Sequence, residues 1–400
     1  MRLNLKKIPY PIVFFFILTQ VFAFSLSFVD LLYTEGMWQQ RLIDGIYMAR
    51  NISFVVSIAV IVLGLHITID DILLLLSGFV AYLLMRAFFQ ENLEYFQAIQ
   101  PLMKYIYVGY IAVRANLFSF NALKTGLIWT ARVVCCAVLA SLLSNLSFLN
   151  VGKIYMSFAN GLEMAAALLV YSSIIDGKKL DLVLVGFCLV ALLFYGSRGA
   201  ILILAILAAY LVWIKYKSAK FVTAILFATG FLVILGPSLL SWALSKIVNT
   251  GLSSRTLEKM MSGSLFSSSD RSQIYQYLFD VLGQHPLMGV GVCGDRYYLP
   301  MRFTGVDATY SHNLIIELFL DFGLPMGLVV LTVMCYFLYI CFLKEQDLSV
   351  KGLFAAFVVS GVIHLIFSRS WLTEQNFFIL FALLLTYSES KRVHLTFKIR

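Results

Sequence analysis

Ser267–Gly327 is a polar stretch in an otherwise apolar chain, and it carries Arg271, Arg296, Arg302 and His312. Arginine presents a planar fork of N–H donors that matches phosphate oxygens. Histidine among arginines adds a base that titrates near neutral pH. These residue types together describe a site for an anionic ligand with a proton to be removed beside it. Arg198, in Tyr195-Gly-Ser-Arg-Gly-Ala200, is a further candidate, because its flanking glycines permit close backbone approach.

Each residue also has a plain reading. Arg198 at the end of an apolar run can simply snorkel to an interface. Arg271 can be a solvated charge, although a cation in the first turn of a helix gains nothing from the helix dipole. His312 can be structural, and His285, before Pro286, reads as a turn residue. His66, His364 and His394 have no chemical companions.

The local pattern supplies elements for these residues. Asp270 or Ser269 can cap a helix whose apolar stripe is Ile274, Tyr277, Leu278, Val281 and Leu282, ended by Gly283 and Pro286. Such a stripe needs cover, either a membrane surface or other helices. Ser311 can cap a second helix, Asn313 to Phe322, with Glu317 and Asp321 on one face. In that first turn the dipole would disfavour protonated His312 and keep the imidazole neutral.

The rest of the chain is membrane-like. Hydrophobic residues make up 61% and charged residues 13% of the 400, with mean hydropathy +0.89. A soluble domain carries about a quarter charged residues. Apolar runs of about 20 residues recur, the length that crosses a bilayer as a helix. The expected fold is therefore an all-α polytopic membrane protein with about twelve transmembrane helices. These fall near 10–29, 50–69, 70–89, 98–114, 121–146, 155–175, 180–196, 199–215, 220–244, 324–343, 352–368 and 373–388. The organisation is residues 1–244 with about nine spans, a large loop at 245–323 with short amphipathic helices, and residues 324–400 with about three spans and a tail.

Orientation follows the lysines and arginines of the short loops. One side holds sixteen, among them Arg2, Lys6, Lys7, Lys124, Lys178, Lys179, Lys215, Lys217 and Lys220. The other holds Arg41, Arg50, Lys153, Arg198 and Arg369. Both termini are expected in the cytoplasm and the large loop outside. The formal net charge of +9 then marks topology and anionic lipid, with no nucleic acid needed. Of six cysteines only Cys293 falls in the loop, so no disulfide framework and no zinc spacing is present in the sequence. Arg86, Lys104, Arg132 and Glu163 fall in or near spans without forming a relay pattern.

Four stretches in order resemble one family. They are Tyr195–Ala200, Asp270-Arg-Ser-Gln-Ile-Tyr275, His285-Pro-Leu-Met-Gly-Val-Gly291, and Ser311-His-Asn-Leu314 followed by Gly323-Leu-Pro-Met-Gly327. They resemble the O-antigen ligase and polymerase superfamily, bacterial inner-membrane enzymes that handle polysaccharides carried on undecaprenyl pyrophosphate. The resemblance implies a GT-C-like, metal-independent, inverting glycosyltransferase without cofactor. It implies His312 as catalytic base and Arg198 and Arg271 as pyrophosphate ligands, with Arg296, Arg302 and Asn313 as candidate helpers. The implied partners are an undecaprenyl-pyrophosphate-linked oligosaccharide, the membrane and a chain-length regulator. Polymerase is the first reading and ligase the second. A flippase for lipid-linked oligosaccharides is the rival from another class. It would need charge along a central path, and the sequence shows no inverted repeat.

Overall fold

A computed structural model describes residues 69–99, 120–144, 155–194, 198–247, 271–303, 310–367, 369–374 and 376–384, with isolated residues between 41 and 55. The described residues are helical, with no strand among them. The helices are α1 Ile69–Phe88, α2 Phe120–Ser144, α3 Tyr155–Ile175, α4 Lys179–Phe194, α5 Arg198–Tyr216, α6 Ala219–Ile247, α7 Arg271–Gln284, α8 Gly294–Arg302, α9 Leu314–Tyr339 and α10 Leu348–Val358. Shorter helical pieces cover 93–99 and 376–384.

Six of the expected spans coincide with α1 to α6 to within a few residues. Three helical stretches, Gly199–Tyr216, Leu314–Tyr339 and Leu348–Ile366, are long and apolar enough to cross a membrane. Phe79–Phe88, Gly161–Ile175 and Ala219–Phe231 are shorter apolar pieces. The full set of about twelve expected spans is thus not matched. The expected span at 10–29, and most of those at 50–69 and 98–114, lie outside the described residues. Within them, α4 is only 16 residues long, short of the usual transmembrane length.

The chain divides into two compact units. One comprises residues 1–57, 116–267 and 345–360, the other 58–115, 268–344 and 361–400.

In the first unit α3 is buried around its whole circumference from Leu162 to Ser172, and Leu162, Ala166, Ala167, Leu169 and Tyr171 are fully buried. Small residues at Ala165 to Ala167 let neighbouring helices approach closely. A polar knot closes one end. Asp181, in the first turn of α4, accepts both arms of Arg132 at 2.8 and 2.9 Å and the hydroxyl of Ser172 at 2.5 Å. Lys124 pairs with Asp176 at 3.1 Å. Lys215 donates to the carbonyls of Ile174 and Ile175, a cation on the orphan carbonyls of a helix C-terminus. Lys124 and Lys215 therefore share one end of this unit. Arg198 begins α5 at its other end.

In the second unit, the stripe of α7 packs where expected. Ile274, Leu278, Val281 and Leu282 are buried with Val290 and Leu299 against Ile316 and Leu320 of α9, and Tyr277 is partly buried beside them. Helices, and not a membrane surface, cover the stripe.

Two glycine motifs meet backbone to backbone. Gly323 breaks α9 with φ 72° and ψ 170°. Gly289, also at positive φ, sits so close that a Cβ would lie 2.3 Å from the Leu320 carbonyl oxygen. Val290 N–H donates to Leu320 at 2.7 Å and Leu324 N–H to Pro286 at 2.8 Å. The kink also explains why α9 begins at Leu314. The helix expected at 313–322 and the span expected from 324 are the two halves of one broken helix.

Candidate functional site

His312 sits on a short turn between Tyr310 and α9. Its own φ is 54°, a left-handed value that side chains with a Cβ rarely adopt. Two contacts hold the turn. The Ser311 N–H donates to Asp295 Oδ2 at 2.7 Å. The Asn313 side chain accepts from the N–H groups of Ile315 and Ile316 at 3.0 and 3.2 Å. Asn313 is therefore the helix cap, and the expectation that Ser311 caps is corrected. An Asx side chain one residue before the helix reaches its free N–H groups directly. Asn313 also donates to the Ile366 carbonyl at 3.2 Å.

His312 consequently precedes the cap and is not in the first turn. The dipole argument for its neutrality does not apply, but the conclusion stands for other reasons. Burial first, and then the positive charge of Arg271, push its pKa down to about 4. Asp295 opposes this and Arg296 adds to it. The Nδ1 atom is buried without a hydrogen-bond partner among the described residues. An unsatisfied buried polar atom of this kind calls for a functional reason.

Tyr310 stacks on the imidazole, with ring centres 3.9 Å apart. Its phenol is pushed up by burial, against the pull of Arg369, Arg296 and Arg271. Arg296 lies with its guanidinium carbon 5.6 Å from the Tyr310 ring centre. It is buried, and pairs with Asp295 at 2.8 Å and Glu317 at 3.4 Å. Burial works against its charge, yet the two carboxylates outweigh burial and hold the guanidinium above the ordinary arginine range. Glu317 in turn accepts from the Ser370 hydroxyl and the Trp371 N–H, and Asp321 accepts from the Trp371 indole at 3.0 Å.

Sequence reasoning found Arg271 and His312, and they face each other electrostatically within the second unit. Arg271 opens α7 as expected; its expected cap, Asp270 or Ser269, lies outside the described residues. Arg198 is the first residue of α5, in the first unit. Of the candidate helpers, Arg296 is a buried wall residue tied to carboxylates, and Asn313 is a cap. Arg302 lies over the Tyr277 ring at 5.3 Å, on the exposed end of α8. Tyr310 and Asp295, which contact the histidine turn, were missed. Only Tyr310, two residues before the histidine, carried a local sequence signal.

Among the described residues, the non-glycine positions in left-handed backbone are Lys217, between α5 and α6 of the first unit, and Cys293, His312 and Arg369 in the second. Each costs on the order of 1–3 kcal/mol, and such strain gathers at functional sites.

The described residues are thus helical, with three apolar stretches long enough to cross a membrane, and they set a half-buried, neutral His312 among the charges of Arg271 and Arg296. Residues 183–332 match the family model described as O-antigen ligase, less than half of the chain. The match agrees with the superfamily that the motifs resemble, and it contains Arg198, Arg271 and His312. No curated protein and no solved structure matches the chain.

Proposed function

We propose that the protein is an inverting, metal-independent glycosyltransferase. It polymerises undecaprenyl-pyrophosphate-linked oligosaccharide repeat units at the external face of a bacterial inner membrane. Both termini are then cytoplasmic, and the 245–323 segment carries the site outside. One observation carries this reading: within the family-matched segment, His312 is kept neutral with a pKa of about 4 by burial and by Arg271. A neutral imidazole beside a cation suits a base next to a departing pyrophosphate.

In this reading an acceptor hydroxyl gives its proton to His312 as its oxygen bonds to the anomeric carbon. The bond from that carbon to the pyrophosphate oxygen breaks, with inversion, and the electron pair leaves on undecaprenyl pyrophosphate. Arg271 takes up that charge, and the part of Arg198, which lies in the other unit, follows from the resemblance alone. Forked donors aimed at developing charge supply several kcal/mol in a water-poor site. The base adds roughly two to four orders of magnitude. Donor binding also strengthens the base, because a pyrophosphate on Arg271 cancels one of the charges that depress His312.

The second reading is a ligase that passes finished polymer to lipid A–core, and the description of the matching family favours it. The half-reaction at the pyrophosphate is the same and the acceptor differs. Deleting the gene in its host and examining the surface polysaccharide separates them. A single repeat unit on the acceptor, without a ladder, supports the polymerase, for which a chain-length regulator is the candidate partner. Polymer accumulating on undecaprenyl pyrophosphate supports the ligase. Repeat units trapped on the cytoplasmic face overturn both in favour of a flippase.

A further inference from the structure

Arg369 has no role in the account so far, yet its surroundings are built. It lies between the helical piece His364–Phe367 and the turn Trp371–Thr373, with φ 63°. Glu317 and Asp321, one turn apart on α9, fasten the following residues through the Ser370 hydroxyl, the Trp371 N–H at 3.3 Å and the Trp371 indole at 3.0 Å. Asn313, directly after His312, fastens the preceding residues through the Ile366 carbonyl. The first two turns of α9 thus hold the Arg369 segment on both sides, and they hold the His312 turn as well.

The charge of the Arg369 guanidinium is felt at the same place. Its Nη1 pairs with Glu374, which engages part of a fork that has five N–H donors. Its charge acts on the Tyr310 phenol ahead of Arg296, whose guanidinium carbon is 5.6 Å from that ring centre. Tyr310 in turn stacks on His312. In the sequence Arg369 belongs to the sparse set of cations on the side opposite the termini, the side of Arg198 and the large loop.

A plain ion pair with Glu374 is the simpler reading. Glu374 is buried and already accepts the Asn376 N–H at 3.1 Å. A partner for it would not require a non-glycine residue in left-handed backbone. That strain, kept in a segment fixed to the histidine-bearing helix, favours a ligand for the remaining donors.

We propose that Arg369 is a further pyrophosphate-binding arginine, gripping a phosphate oxygen of the lipid-linked donor beside Arg271. The assignment rests on the glycosyl-transfer reading above. The test uses the full chain in detergent, with inorganic pyrophosphate and undecaprenyl pyrophosphate as probes and binding measured by thermophoresis. Arg369→Gln should weaken both by about tenfold or more, the loss of a charge-assisted pair. Arg369→Lys keeps the charge near Glu374 but lacks the fork, and should also weaken both. It decides the matter should the glutamine variant fail to fold. Wild-type affinity in Arg369→Lys, with Arg271→Gln impaired, overturns the assignment and leaves the glycosyl-transfer reading intact. Absence of binding of either probe to the wild-type protein removes that reading, and this assignment with it. Loss confined to the lipid probe assigns Arg369 to the lipid tail and overturns a phosphate grip.

Discussion

At the scale of single residues, His312 is defined by what keeps it uncharged. Its pKa in the folded protein, about 4, lies below the ordinary 6.5. The unfolded chain therefore binds more protons than the native one between these values. His312 costs no stability at pH 7, and stability is lost as pH falls from about 6.5 towards 4. Thermal unfolding in detergent should show this loss in the wild type, and His312→Gln should flatten it across the same window. The kcat/KM profile of the wild type should keep its activity well below pH 6.5 before the acid limb appears. Arg271→Gln removes a charge that depresses the histidine, so the residual activity should show an acid limb at higher pH. An unchanged limb would mean that the base is not His312. The fate of Arg198 is read by Arg198→Lys, which should lose most activity where the contact is a two-armed grip on phosphate. Full activity there would leave Arg198 a snorkelling residue.

At the scale of elements, the glycine motifs act as a clamp. Gly289 and Gly323 both have positive φ, and each would place a Cβ 2.3 Å from a backbone oxygen of the other's segment. Gly289→Ala and Gly323→Ala should each cost more than about 1 kcal/mol, read as a lower melting temperature and less protein in the membrane. A neutral effect would mean that the two segments part easily. The polar knot of the first unit makes a different claim. Asp181 is fully buried beneath Arg132, so Arg132→Ala leaves an uncompensated charge, a defect of roughly 3–5 kcal/mol where burial is complete and less here because Arg132 is partly exposed. Adding Asp181→Asn should restore much of the folded yield, and failure to restore it would assign the knot to something other than charge pairing.

The sequence made the helix stripe of α7 legible, because spacing of three and four residues reports a buried face whatever covers it. It made His312 legible as a residue type in a polar segment, but misjudged its cap. Ser311 and Asn313 are both capping residues, and only the backbone says which one precedes the first helical turn. The glycines of the two motifs read as breaks; that they face each other is a long-range fact with no local signal. Arg369 was visible as a scarce charge and no more, because its link to the site runs through Glu317 and Asp321 of a different segment.

At the scale of the whole molecule, the charge asymmetry and the helix positions agree on a membrane protein. Lys124 and Lys215 meet at one end of the first unit, and Arg198 lies at the far end of α5 from Lys215. A helix of 19 residues spans about 28 Å, close to the thickness of a bilayer core. The proposed transfer from a lipid-linked donor needs chemistry on one face, whereas a flippase needs a path through the membrane. The central claim is tested most directly by incubating the purified chain with a synthetic undecaprenyl-pyrophosphate-linked repeat unit. The wild type should give a ladder of longer products and free undecaprenyl pyrophosphate. His312→Ala should slow the reaction by about 100-fold or more while still binding pyrophosphate. A ladder formed at the wild-type rate by His312→Ala would contradict the account.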